Sequence, residues 1–529
     1  MSFKVTNSKS DSVSRRAFMA KSACAAMGVT GIVNSLSHLR LMNAAMAAGT
    51  GPLADYKALV VVFLEGGNDS NNMLIPGRNH PSRSDYDRNR GVLAIAHEND
   101  GSVPAGERIL PINDPVASLP YGLHPAFGSD SGTNNNPGPA ALYNSGDLAF
   151  VANVGTLTEP IVSRAAFLSG NYSKPPQLYS HSDQQVQMQS SVPDQVFQTG
   201  WGGRAADILN ASYNGRGSVS MNISLNNVNK LQVGTAGGVS QYVVTSNGAR
   251  SLNGYGGNYA SAATLNPDGT VRRFLNTKEG HRLKGFEKIM RHTHHNLLEQ
   301  GYNEVVERAR GNEAFVSNAL LAAGGAAVDF DAIFDGEDHD LGNELEMVAK
   351  LIAGRECFGN QRQIYFVSTG GWDNHQSMLT NHAVRLSRFG GALAAFNEAI
   401  KQLGLHDDVL TISQSDFTRT LIPNRTDPAI AGSDHGYGGH QVVMGGPVAG
   451  GKVYGTFPPL KVGNKAGSID TSSTRGRWIP STSTDQYLAV AADWFGIERD
   501  SSEMETIFPN LNRFDDPFDI GSTNLLYTG

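Results

Sequence analysis

The chain has 529 residues, with 42 Lys and Arg against 49 Asp and Glu, a formal net charge of −7. That balance argues against a nucleic-acid surface, and 40% hydrophobic with 17% charged residues describes an ordinary folded protein. The length exceeds one typical core, so two lobes or one large α/β domain with insertions is expected.

At the N-terminus, Ser14-Arg15-Arg16-Ala17-Phe18 precedes a mildly apolar run with a small-residue exit at 44–48. This pattern reads as a twin-arginine export signal over residues 1–48. It implies the export machinery as a partner and a periplasmic or extracellular destination for residues 49–529. That route carries proteins already folded, often with a metal or cofactor loaded. Of the two cysteines, Cys24 lies in the leader and Cys357 is left alone, so no internal disulfide is expected. No apolar run after the leader reaches the length of a membrane span.

Residues 58–64 form a continuous apolar, β-branched run, the signature of a doubly buried strand in a parallel sheet. The run ends in a turn at 65–70, at the strand edge where open α/β sheets place ligands. Residues 78–140 are rich in Asn, Asp, Ser, Gly and Pro and read as long surface loops, with a short helix at 140–145 and a second buried strand at 148–154. Alternating polar and apolar residues over 215–262 suggest antiparallel hairpins in a β-rich insertion. Helical periodicity follows over 278–325 and 341–352. The α/β pattern resumes with a strand at 363–368, a long helix at 381–403 broken only by Gly390-Gly391, strands at 409–413 and 441–444, and a helix at 483–495 capped by Ser483 or Thr484.

Polar clusters follow three of these strands: Asp69; Asp373 with His375; and Asp416 with Arg419. Asp434, His435 and His440 come next in a Gly-rich loop. Carboxylates gathered at one sheet edge repel unless cations lie between them. Asp and His ligands suit a divalent metal, one or two ions of Zn, Mn or Ca, which would catalyse displacement at phosphorus or sulfur. Ser180 precedes a polar helical stretch whose amides could hold an anion, and it is the first candidate nucleophile, with Ser182 and Ser70 as alternatives. Arg419 either clamps an anionic substrate or pairs with Asp416. His292, His294 and His295 fall on a charged helical face and read as solvated.

The joint set Val60-Val61-Val62-Phe63-Leu64-Glu65-Gly66-Gly67-Asn68-Asp69, Leu123-His124-Pro125, Ser180-His181-x-Asp183-x-Gln185, Gly200-Trp201-x-Gly203-Arg204, Gly370-Gly371-Trp372-Asp373-x-His375, Ser415-Asp416-Phe417-x-Arg419-Thr420, Asp434-His435 and Phe508-Pro509-Asn510-Leu511 resembles the DUF1501 family. That family is similar to the alkaline phosphatase and sulfatase superfamily. The resemblance implies a three-layer α/β/α sandwich, a metal site at the strand ends ligated by Asp69, Asp373, His375, Asp416, His435 and His440, and a nucleophile near Ser180. It differs from the superfamily's phosphatases in the Asp373–His375 spacing and in Phe417 after Asp416. The expected function is an exported, metal-dependent hydrolase of phosphate or sulfate esters, acting on a small molecule or a polymer. The rival expectation is a binding or structural protein that kept the fold and lost the chemistry.

Overall fold

The computed structural model describes residues 53 and 55–526, apart from 115–117, 129–135, 197–198, 216, 218, 236–237, 250–251, 257–258, 267–269, 291–296 and 521–524. The expected export signal over residues 1–48, with Cys24, and His292, His294 and His295 lie outside the described residues. Nine strands form the central sheet: β1 (Lys57–Leu64), β2 (Leu148–Gly155), β3 (Asn222–Ser224), β4 (Tyr242–Val243), β5 (Arg362–Thr369), β6 (Val409–Ser415), β7 (Gly439–Met444), β8 (Val453–Gly455) and β9 (Thr482–Ser483). Their order is β8-β2-β7-β6-β1-β5-β3-β4, with β9 beside β2.

The sheet is mostly parallel. Only β7 runs against its neighbours β6 and β2. β1 lies between β5 and β6, parallel to both, with Leu64 opposite Thr369 and Ser415. The three strands therefore end together and deliver the loops at 65–70, 370–377 and 416–420 to one edge, as parallel register requires.

The apolar run of β1 is buried on both faces. Val60 and Val62 pack with Leu345, Val348, Leu386 and Phe389 of helices Asp340–Ala353 and Met378–Gln402. Leu59, Val61 and Phe63 pack with Leu209, Leu488, Ala492 and Phe495 of helices Trp201–Tyr213 and Thr484–Phe495. Each such side chain contributes about 1.5–3 kcal/mol by leaving water, which makes this strand the anchor of the edge it feeds. Ser483 caps the last of these helices in a reciprocal capping box with Gln486. Among the described residues no helix is long and apolar enough to cross a membrane.

Three expectations are corrected. Residues 78–140 contain more than loops: Leu110–Asp114 and Leu119–Leu123 pair antiparallel and join Leu74–Pro76 in a separate three-stranded sheet. Within 215–262, the strands at 222–224 and 242–243 add in parallel to the edge of the central sheet instead of forming a hairpin. Gly390-Gly391 does not break the long helix. A Cβ at Gly391 would lie 2.6 Å from the Glu337 carboxyl carbon, so glycine here permits close packing and introduces no kink.

Candidate metal centre

Buried anchors aim the loops at the sheet edge. Trp372 is 1% exposed, its amide donates to the Glu65 carbonyl at 3.2 Å and its indole N–H donates to the Thr369 carbonyl at 3.1 Å. With the ring buried, Asp373 and His375 emerge on the outer side of the loop. Gly66, at φ +114°, lets the turn after β1 pass beneath them; a Cβ there would lie 2.6 Å from the Asp373 amide nitrogen. Beyond β6 the chain pairs back on itself through the bridge between Arg419 and His435, which carries His435 to the same edge. His181 opens the helix His181–Ser190 and comes from the opposite side.

His181 Nε2, His435 Nε2 and Asp373 Oδ1 form one triangle. The His181–His435 edge is 3.1 Å, His181–Asp373 is 3.5 Å and His435–Asp373 is 3.4 Å. Ligand atoms bound at about 2.0–2.1 Å around a tetrahedral ion stand about 3.3 Å apart. His375 Nε2 touches two corners of the triangle, at 3.0 Å from His435 Nε2 and 3.0 Å from Asp373 Oδ1. Phe417 floors the group, with ring centroids 4.8 Å from His181 and 4.9 Å from His435.

The far sides of the rings fix their tautomers. His435 Nδ1 is 2.7 Å from the Tyr179 carbonyl, which can only accept, so the proton sits on Nδ1. His181 Nδ1 donates to Asp416 Oδ2 at 2.7 Å. His375 Nδ1 faces Asp434 Oδ1 at 3.2 Å, and Arg475 in turn pairs with that carboxylate. In their neutral forms the rings of His181 and His435 therefore confront each other with lone pairs. One extra proton could bridge a single pair of these nitrogens. A divalent cation would satisfy both imidazoles and Asp373 together, and a carboxylate or carbonyl behind each ligating imidazole is the usual outer support of such an ion.

The charges act on the three corners in different directions, and only a neutral imidazole can ligate. The Asp416 hydrogen bond holds His181 above the usual imidazole value, although partial burial opposes it. Burial holds His435 below that value. Burial would raise Asp373, but Arg419 and the neighbouring imidazoles outweigh it and keep the carboxyl below the usual carboxylate range.

The family model described as "Protein of unknown function (DUF1501)" matches residues 56–508, a span that includes every residue of this cluster. The chain belongs to the DUF1501 family. No curated protein matches it.

In this DUF1501 protein the structure brings Asp373, His375 and His435 together, and it repositions the other expected ligands. Asp416 is fully buried behind His181, accepting also from Gln185 Nε2 at 3.1 Å and the Gly66 amide at 3.3 Å. Asp434 stands behind His375. Asp69 is sealed against Arg90 with both side chains fully buried. His440 is buried against Phe457 with ring centroids 5.0 Å apart, and its Nδ1 accepts from the Asn153 amide at 3.1 Å. Neither Asp69 nor His440 is part of the cluster.

Arg419 pairs with Asp373 at 2.7 Å rather than with Asp416. Its guanidinium is fully buried and also donates to the carbonyls of Gly66 and Ser433, so it is a strut and not a substrate clamp. Ser180 is half-buried at the head of its helix. Its hydroxyl donates to Asp183 instead of capping the helix amides. Ser182 also contacts Asp183, at 3.4 Å, whereas Ser70 is buried and bonded to Thr418 at 2.7 Å, out of reach of any substrate. The reading by strand ends missed His181, which follows no strand; its signal was its place beside Ser180 in a Ser-His-x-Asp-x-Gln motif.

Proposed function

We propose that this protein is an exported, metal-dependent hydrolase of phosphate or sulfate esters on an alkaline phosphatase-like fold. One observation carries the reading: the His181–His435–Asp373 triangle has the edges of a bound divalent ion, and with both rings neutral its three corners face one another with lone pairs. These three side chains would hold one ion, and zinc or manganese suits the mixed nitrogen and oxygen donors. When bound, the ion supplies positive charge for the ester oxygens.

The chain's own groups supply the rest. Ser180 attacks in line as its hydroxyl proton passes to Asp183, the carboxylate it already touches. His375 is 44% exposed on its side chain and oriented through Nδ1 by Asp434, so as the imidazolium it donates its Nε2 proton to the departing oxygen. Export rests on the Arg15-Arg16 pair; a double lysine substitution there should leave the protein in the cytoplasm by fractionation.

The test is metal analysis of natively purified protein, joined to a screen of phosphate and sulfate monoesters and diesters against the Ser180→Ala and Asp373→Ala variants. A stoichiometric transition metal and loss of hydrolysis in both variants support the reading. Activity retained in either variant contradicts it. Arg419 and Asp69 are spent on structural ion pairs, which favours the second reading, a binding protein with a reduced centre; metal present without hydrolysis of any ester would select it.

A further inference from the structure

Three arginines at the centre already hold partners. Arg419 is buried against Asp373 and two carbonyls. Arg475 pairs with Asp434. Arg477 donates to the His435 carbonyl at 2.7 Å and lies 4.0 Å over the Tyr179 ring. Arg385 differs: among the described residues its guanidinium makes no hydrogen bond and no ion pair, and it is only half-buried.

The backbone that carries it is held in place. It occupies the second turn of the helix Met378–Gln402, which is tethered by the Met378 amide to the Ala431 carbonyl at 2.9 Å and by the buried Leu386 and Phe389. The guanidinium lies flat on Gly371, two residues before Asp373. A Cβ at Gly371 would sit 2.6 Å from Arg385 Cζ and 2.8 Å from Nε, so the head group packs against the bare backbone of a glycine held at φ +90°. A planar fork of donors without acceptors, held on the loop that carries a metal-ligating carboxylate, is built to receive an oxyanion.

We propose that Arg385 is the anion-recognition residue of this centre, binding the phosphate or sulfate oxygens of the substrate. This rests on the hydrolase reading and assigns to Arg385 the clamp that Arg419 cannot provide.

The experiment is calorimetric titration of the metal-loaded full mature chain with inorganic phosphate, comparing wild type with Arg385→Gln, Arg385→Lys and Arg388→Gln, and recording metal content on the same samples. Arg388 is exposed on the same helix and serves as the control. Arg385→Gln should weaken phosphate binding at least tenfold at unchanged metal content, Arg385→Lys should recover part of that loss, and Arg388→Gln should stay within twofold. Equal phosphate affinity in wild type and Arg385→Gln overturns the proposal, as does the absence of phosphate binding by wild type. A wild-type protein that binds phosphate through Arg385 but holds no metal would sink the metal reading alone.

Discussion

Asp69 and Asp373 both follow buried strands of one sheet and both meet arginine, yet their surroundings differ. Asp69 and Arg90 are each 0% exposed, a sealed pair inside the protein. The Asp373 side chain is 43% exposed, and its Arg419 contact leaves room for three imidazoles on the same oxygen. The same contrast separates His440 from His435, five residues earlier: one is buried beside Phe457, the other turns Nε2 outward to the cluster. A carboxylate or imidazole at a strand end thus becomes a ligand only where its lone pair is left facing other lone pairs, and that depends on which distant side chain arrives to neutralise it.

Removing a corner of the triangle should have the largest effect. His181→Ala and His435→Ala are each expected to leave the protein substoichiometric in metal and without hydrolytic activity, while His440→Gln keeps its metal. Atomic emission analysis after dialysis checks this. If His440→Gln loses metal and His181→Ala does not, the contrast between the two groups is wrong. His375→Ala should retain more metal than either, because His375 touches the triangle from outside.

The sealed pair should fail differently. Asp69→Ala leaves Arg90 charged and buried without its carboxylate, which costs about 3–5 kcal/mol. Urea denaturation should show that loss, and the protein that remains folded should still bind metal. Loss of metal at unchanged stability would instead place Asp69 in the centre.

A smaller change sharpens the roles of the outer carboxylates. Asp416→Asn keeps the shape but weakens the hold on His181 Nδ1, and outer-support substitutions typically cost 10–100-fold in metal affinity. Competition with a chromogenic chelator would measure it. An effect as complete as that of His181→Ala would make Asp416 a direct ligand.

These contrasts explain which features the sequence made legible. The apolar run at 58–64 and the Trp372-Asp373-x-His375 loop were readable because strand burial and turn chemistry are local. The partner of Asp69 was not, since Arg90 lies in a stretch that resembles loop and becomes a helix terminus. Nor was His181, whose role exists only once its helix and the 433–440 loop meet. The short strands at 222–224 and 242–243 carry too few residues for their alternation to distinguish a parallel edge from a hairpin.

The smallest expected effect separates buried from outward histidine by pH. Burial pushes His440 down to about 3, far below an unfolded value near 6.5. A depressed folded value means that the unfolded chain binds the extra proton, so this stability is present above about pH 6.5 and is lost as pH falls toward 3. Between about pH 7.5 and 5.5 the loss from one such ring is about 1.4 kcal/mol. The curve of the whole molecule cannot show it alone. Burial pushes Glu344 up to about 8 and Asp485 up to about 7, and those groups change stability in the opposite direction over the same range. The difference between His440→Gln and wild type isolates the ring: glutamine can still accept from the Asn153 amide but does not titrate. Between the two pH values the unfolding free energy from urea titration should therefore change by about 1.4 kcal/mol less in the acid-destabilising direction in the variant. An unchanged difference would mean that His440 charges freely in the folded protein, and its separation from the outward-facing His435 would fail.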